Sequence, residues 1–202
     1  MRATLRFVAS VMIVSGVLVI ADAGVTLAWQ EPISAFTAGR EQGKLESGFE
    51  APPKRVLARR PLPGDSIGKI ELPPLHRSYF VVEGTQVDDL RKGPGHYEDT
   101  PLPGARGTTA IAGHRTTFGA PFRTIDKLRR GDAIKLKMTY GTFSYRVEKA
   151  RIVRPDQTEV KDRVGHNRLI LSACHPLYSA AKRIVVFARE VGREPATVKK
   201  RS

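Results

Sequence analysis

Ile134-Lys135-Leu136-Lys137-Met138-Thr139-Tyr140, followed at once by Gly141-Thr142-Phe143-Ser144-Tyr145-Arg146-Val147, alternates apolar and polar residues through both halves. A period of two puts every apolar side chain on one face of an extended chain, so each half reads as a strand with one buried face. Gly141-Thr142 leads from one half to the other, and the pair is predicted to form a β-hairpin. After Lys149 the phase changes, with Ala150 and Ile152 now the apolar positions, which implies a bulge or a twist.

Upstream, residues 67–73 and 79–82 read as two strands, residues 84–97 as a turn with a short helix around Val87-Asp88-Asp89-Leu90, and residues 108–114 as a strand ending in a histidine. Phe122, Ile125 and Leu128 recur at helical spacing ahead of Arg129, Arg130 and Gly131, which predicts one short helix with a glycine stop. Downstream, residues 155–167 are polar and loop-like. They precede the apolar run Leu169-Ile170-Leu171-Ser172-Ala173-Cys174-His175-Pro176 and, past a Pro-broken loop, Arg183-Ile184-Val185-Val186-Phe187. Seven or eight short strands with little room for helical crossovers argue for a mostly β chain, an antiparallel barrel or sandwich. Neither a repeat nor a glycine-rich phosphate loop nor paired-cysteine metal spacing is present in the sequence.

The 202 residues suit one well-buried domain with appendages. A formal net charge of +14 predicts attraction to polyanions: nucleic acid, anionic lipid headgroups or phosphate-bearing wall polymers. Behind Arg2 and Arg6 an apolar stretch runs to Trp29, interrupted by Asp22. Counted to Trp29 it is long enough to cross a bilayer, and counted to Ile20 it matches a cleavable signal with Ala21-Asp22-Ala23 as the cleavage site. Either reading exports the rest of the chain. The retained anchor is favoured, with residues 1–30 as a single-pass membrane anchor and the remainder extracytoplasmic, because Trp29 suits a membrane interface and the basic N-terminus the cytoplasmic side. Residues 31–64 mix Gly, Pro and charge without sustained periodicity and read as a basic linker, with Lys54, Arg55, Arg59 and Arg60 as a cluster able to touch anionic lipid or wall polymer. The core is expected over 65–192, with a frayed basic tail over 193–202.

Cys174 is the only cysteine, so no internal disulfide is possible. A leftover thiol in an oxidising compartment marks a reactive group, although a free cysteine is also often a small buried hydrophobe. His114, Cys174 and Arg183 all fall at predicted strand ends. On one rim of a small barrel they would share a pocket, where a thiol needs a neighbouring base or cation and a histidine protonates a leaving amine. An arginine, unable to lose its proton, suits a carbonyl oxygen gaining charge. Each also has a purely structural reading as strand cap, core side chain or surface cation. His175, next to Cys174, should point to the opposite face and has no catalytic role assigned. Adjacent ligands and the lack of further cysteines argue against a metal at these residues, and no Asp/Glu cluster of calcium type is present.

The segments Ala112-Gly113-His114-Arg115-Thr116-Thr117-Phe118-Gly119-Ala120-Pro121-Phe122 and Leu171-Ser172-Ala173-Cys174-His175-Pro176, with Arg183 further on, resemble the His, Cys and Arg motifs of sortases. The Cys-His-Pro signature and the apolar N-terminus are most like the class E members. The resemblance covers residues 67–191 and implies an eight-stranded sortase barrel with one or two short helices behind a transmembrane helix. It implies a cysteine transpeptidase that cuts an LPXTG-type or, for class E, LAXTG-type sorting signal between Thr and Gly. Cys174 would carry the acyl group, His114 would exchange protons with the leaving and incoming amines, and Arg183 would support the oxyanion and orient the signal. Thr116, Ser172, Ala173 and His175 are the substrate-binding candidates, and the loop over residues 155–167 would shape signal selection. The implied partners are proteins bearing such a signal, an amine of a peptidoglycan precursor and the membrane. No cofactor is implied. Sortases usually carry Thr immediately before the cysteine, where this chain has Ala173, which bears on rate and substrate choice.

That departure motivates a second reading, a catalytically weak sortase-like module that binds sorting signals or anionic wall polymer. A third, from charge alone, is a basic barrel that binds nucleic acid. Predicted export and the lack of interleaved aromatics on a basic face speak against it, and nucleic acid is not expected as a partner.

Overall fold

A computed structural model of the protein describes residues 2–28, 32–50 and 61–196. The barrel is built from β1 (Ser66–Leu72), β2 (Arg77–Glu83), β3 (Gly95–His96), β4 (Thr108–Ala112), β5 (Ala133–Met138), β6 (Gly141–Val153), β7 (Arg168–His175) and β8 (Lys182–Pro195). They close in the order β1-β2-β3-β4-β7-β8-β6-β5. The pairs β2–β3 and β4–β7 are parallel and the others antiparallel.

The hairpin follows from its alternation. Ile134, Leu136 and Met138 of β5 and Phe143, Tyr145 and Val147 of β6 are buried in the barrel interior, and the turn is Thr139-Tyr140, with Met138 opposite Gly141. Residues of the other strands complete this interior, among them Ile70, Leu72, Ile111, Leu169, Leu171, Ile184 and Val186. The register of β6 against β8 shifts between Val147 and Lys149, a bulge at Glu148. Past it the expected phase is not kept: Ile152 is 53% exposed, and Val153 is buried on the outer face with Ile170, Val185 and Phe187. The loop following β6 folds back over that face through Val160, which covers Val153 and leaves Ile152 uncovered.

Phe122, Ile125 and Leu128 are all buried, but the segment is a chain of turns around a 3-10 helix at Ile125–Lys127 rather than an α-helix. Their spacing of three matches the three residues per turn of a 3-10 helix. Gly131 ends the segment with φ 93°. The helix α3 (Val87–Leu90) lies where the sequence predicts it.

The N-terminal part holds two further helices. In α1 (Arg2–Ala28), residues Thr4–Val25 are long and apolar enough to cross a membrane, and none of the stretch is buried. Trp29, expected at a membrane interface, lies outside the described residues, as does the basic cluster from Lys54 to Arg60. Instead of a linker without periodicity, Pro32–Glu50 forms α2 and packs on the barrel. Leu45 and Phe49 cover Phe80 and Val82, and Gln42 supplies a polar lock. Its Nε2 donates to the carbonyls of Phe80 (3.0 Å) and Lys92 (2.8 Å), and its Oε1 accepts the Phe80 amide (2.7 Å). The cause is the short β3, which pairs with Val82 and Glu83 and stops before Phe80. Residues 80 and 82 present their peptide groups to the same side of β2, so Phe80 would face that side unpaired, and the Gln42 carboxamide stands in for the missing strand residue. Gln42→Ala is expected to destabilise the fold by about 1–3 kcal/mol, because two carbonyls and one amide lose their partner together. Chemical denaturation checks this; an unchanged midpoint would show that α2 is not held by this side chain. The C-terminal end also departs from expectation: β8 stays paired with β6 as far as Pro195, opposite Gly141, rather than fraying after Gly192.

Candidate active site

Strand parity decides which side chains meet. In β7, Leu169, Leu171 and Ala173 face the barrel interior, which leaves Ile170, Ser172 and Cys174 on the outer face. In β8, Ile184, Val186 and Ala188 face in, and Arg183, Val185 and Phe187 face out. Cys174 is directly opposite Arg183 across the antiparallel ladder. In β4, Ala110 is opposite Ile170 and Ala112 opposite Ser172, so the next outward position, His114, is reached just where the ladder ends at Gly113 N–H to Ser172 C=O (3.0 Å). The three residues singled out from the sequence therefore lie at adjoining strand ends on one face.

Gly113 is required there, since a Cβ would stand 2.5 Å from the Phe122 ring. That close packing seats the strand end on Phe122, whose amide donates to the His114 carbonyl (2.9 Å). The loop then turns through Phe118 (φ 50°), Gly119 (φ 72°) and Ala120 (φ 42°). Left-handed backbone costs a non-glycine residue about 1–2 kcal/mol, so surrounding contacts must hold the loop. Some come from α2: the Ser34 hydroxyl accepts the Phe118 N–H (3.2 Å), and the Ala38 methyl lies 3.6 Å from where a Cβ of Gly119 would be. The Arg91 guanidinium lies over the Phe118 ring at 5.7 Å, and that ring is 5.2 Å from the His114 imidazole.

Sequence reasoning missed Arg115, which binds the site together from below. It is 3% exposed, pairs with Asp126 (3.0 Å), and donates to the Arg123 carbonyl through Nε (3.3 Å) and Nη2 (3.1 Å). Its Nη1 reaches the Cys174 carbonyl (3.4 Å) and His175 Nδ1 (3.4 Å). The residue after the histidine is thus in contact with the residue after the cysteine and with the cysteine's own backbone. No pattern of apolar residues marks a buried arginine, and only its place next to His114 hinted at it.

Cys174 is half-buried and its thiol is free of any disulfide. The His114 imidazole is half-buried too, and its Nε2 has no hydrogen-bond partner among the described residues. Burial holds its pKa below the ordinary 6.5, so the ring is neutral at pH 7. The charged form is disfavoured only in the folded protein, so stability falls as pH drops from about 6.5 through the folded pKa and is flat above. An NMR titration of the His114 ring should give a midpoint below 6.5; one at or above it would mean a cation-stabilising partner.

Of the other predicted contacts, Ser172 is buried on the Cys174 face, Thr116 is half-buried in the loop after His114, and His175 is half-buried beside Arg115. Ala173, expected among the substrate-binding residues, is 3% exposed in the barrel interior, because its place in β7 turns it away from the Cys174 face. Arg183 donates from Nη1 to the carbonyls of Ala180 (2.9 Å) and Lys182 (3.0 Å) and borders a cavity of about 100 Å³ with Ser172, Tyr97, Val160 and Val185. The roof of that cavity is the β6–β7 loop, pinned by an ion pair of Lys161 with Asp99, by Thr108 Oγ1 to the Asp162 carbonyl (2.8 Å) and by Arg168 to the Val160 carbonyl (2.8 Å).

The Sortase domain family matches residues 70–191. The chain belongs to the sortase family. It is 36% identical to Sortase D of Bacillus subtilis (strain 168) over 143 residues, which is 68% of this chain and 70% of that protein. It is 28% identical to Sortase SrtE1 of Streptomyces coelicolor over 206 residues, 94% of this chain but only 58% of that longer protein. Among solved structures, sortase E of Streptomyces avermitilis is similar with a TM-score of 0.63 at 31% identity, covering 70% of this chain and 97% of that one. The Sortase D5 transpeptidase of Clostridium perfringens gives 0.67 at 26% identity, covering 77% and 99%. Class E likeness is thus accompanied by equally plain likeness to class D. The protein is a sortase cysteine transpeptidase, and the eight-stranded barrel implied by its motifs is the one observed.

Proposed function

We propose that this sortase cleaves an LPXTG- or LAXTG-type sorting signal between Thr and Gly and passes the acyl group to an amine of a cell-wall precursor, working from an extracytoplasmic position behind α1. The Cys174 thiol gives its proton to neutral His114 and its sulfur bonds to the threonine carbonyl carbon. Collapse of the tetrahedral adduct breaks the Thr–Gly C–N bond, and the departing amine takes the proton from His114. The acceptor amine then attacks the thioester, loses its proton through His114, and frees Cys174. Arg183 donates to the oxyanion or to the signal backbone. The cavity of about 100 Å³ under the β6–β7 loop, bordered by Ser172 and Arg183, takes one side chain of the signal.

The observation that carries this reading is the single outer face that β4, β7 and β8 give to His114, Cys174 and Arg183, tied by the Arg115 bond to the Cys174 carbonyl. The weak binding module was motivated by Ala173. That side chain points into the core, so a hydroxyl there would not face the groove in this barrel, which favours the catalytic reading over the weaker one. Incubation of the protein with matched LAXTG and LPXTG peptides tests the assignment. Scission at Thr–Gly, with one signal preferred, is expected; no scission, or scission at another bond, would refute it.

A further inference from the structure

The His114 imidazole is placed by contact with the Phe118 ring, and its Nε2 has no hydrogen-bond partner among the described residues. Phe118 has a left-handed backbone, and two groups hold it: the Ser34 hydroxyl on its N–H and the Arg91 cation over its ring; Ala38 of α2 is buried on the side facing neighbouring Gly119. Ser34 and Ala38 both belong to α2 and lie one turn apart on the same side of it. Gln42, one further turn along that side, fixes the helix to β2. The order of dependence runs from the Gln42 lock to the first turns of α2, then to Phe118, then to the imidazole.

We propose that α2 is a latch on the His114 loop, with Ser34 and Phe118 as positioning residues that set the imidazole for proton transfer with Cys174. The inference rests on His114 as the proton carrier of the proposed reaction. Undocking of the first turns of α2 frees Phe118 to leave its left-handed conformation, and the ring that covers His114 moves with it. The cavity under the β6–β7 loop that is proposed to take part of the signal has no side chain from α2 in its lining, so turnover falls while substrate affinity is kept.

The test uses the full-length protein in detergent micelles and a quenched sorting-signal peptide, with melting temperature recorded for each variant. Ser34→Ala should lower kcat about threefold to tenfold with KM within about twofold, and Phe118→Ala should lower it about 30- to 100-fold, since a misplacement of about 1 Å costs about 100-fold. Ser34→Thr, which keeps the hydroxyl, should restore turnover. In Phe118→Ala the NMR titration midpoint of His114 should rise toward that of a solvated imidazole, a change that loss of stability alone would not produce. The Ser34 pair decides the matter should Phe118→Ala not fold. If both alanine variants keep wild-type kcat and pH profile while His114→Ala is inactive, the latch is refuted and the role of His114 stands. If His114→Ala itself turns over normally, the reading beneath the latch fails and the latch with it.

Discussion

Cys174→Ala is expected to reduce peptide cleavage by about four orders of magnitude or more, to the background rate. Without the sulfur the outward position opposite Arg183 carries no nucleophile, and neighbours that act on the same step do not compensate for one another. The variant should fold normally, because Cys174 is only half-buried and loses a single sulfur atom; a change within about 1 kcal/mol is anticipated. Peptide binding should survive, since the cavity proposed to take a side chain of the signal, bordered by Tyr97, Val160, Ser172 and Val185, does not have Cys174 in its lining. Binding without turnover is therefore the pattern to look for in fluorescence polarisation and cleavage assays run side by side. Loss of both would place Cys174 in the groove architecture rather than in the chemistry.

The second large effect is expected at Arg115. Its guanidinium sits between three segments that carry or flank the site: the His114 loop, the 123–126 turn and the end of β7. Arg115→Met keeps a side chain of similar reach and removes every donor. The Arg123 carbonyl, which accepts two of its bonds, is left without them, and the bond to the Cys174 carbonyl is lost as well. Each buried acceptor left unmade costs about 1–3 kcal/mol, so a loss of about 2–4 kcal/mol is expected in chemical denaturation. Asp126, nearly half exposed, adds little because water can solvate it once its partner is gone. Arg115→Lys should recover only a small part, since one ammonium cannot span the Arg123, Asp126 and Cys174 directions at once. Turnover should fall in both variants beyond what unfolding explains, because the strand ends bearing His114 and Cys174 lose their common tie. A denaturation midpoint unchanged in Arg115→Met would contradict this account of how the site is assembled.

Much of the barrel is legible in the chain because burial there has a period. Ile134 to Met138 and Phe143 to Val147 alternate without exception, and the apolar run at Leu169–Leu171 needs cover on both faces, which the barrel interior and the β6–β7 loop provide. The candidate site is legible for the same reason: the parity that buries Leu171 and Ala173 turns Cys174 outward. What escapes a pattern is whatever is held by hydrogen bonds. The barrel side of α2 carries Ser34, Ala38, Gln42, Leu45 and Phe49 at helical spacing, but only the last two are large and apolar, so no stripe announces the helix. The two-residue β3 is too short to have a period at all. Arg115 looks like one cation among 34 until the fold closes over it. The phase past the Glu148 bulge escapes because the loop that covers Val153 is distant from any local signal in β6.

The central claim is that sulfur, imidazole and guanidinium act on one carbonyl at the ends of β4, β7 and β8. Intact-protein mass spectrometry of the full-length protein, quenched in acid during turnover of a sorting-signal peptide, tests it most directly. The account predicts an added mass equal to the peptide up to its threonine, located on Cys174, released by hydroxylamine and absent from Cys174→Ala. Peptide cleavage with no such adduct, or an adduct carried by Cys174→Ala, would contradict it.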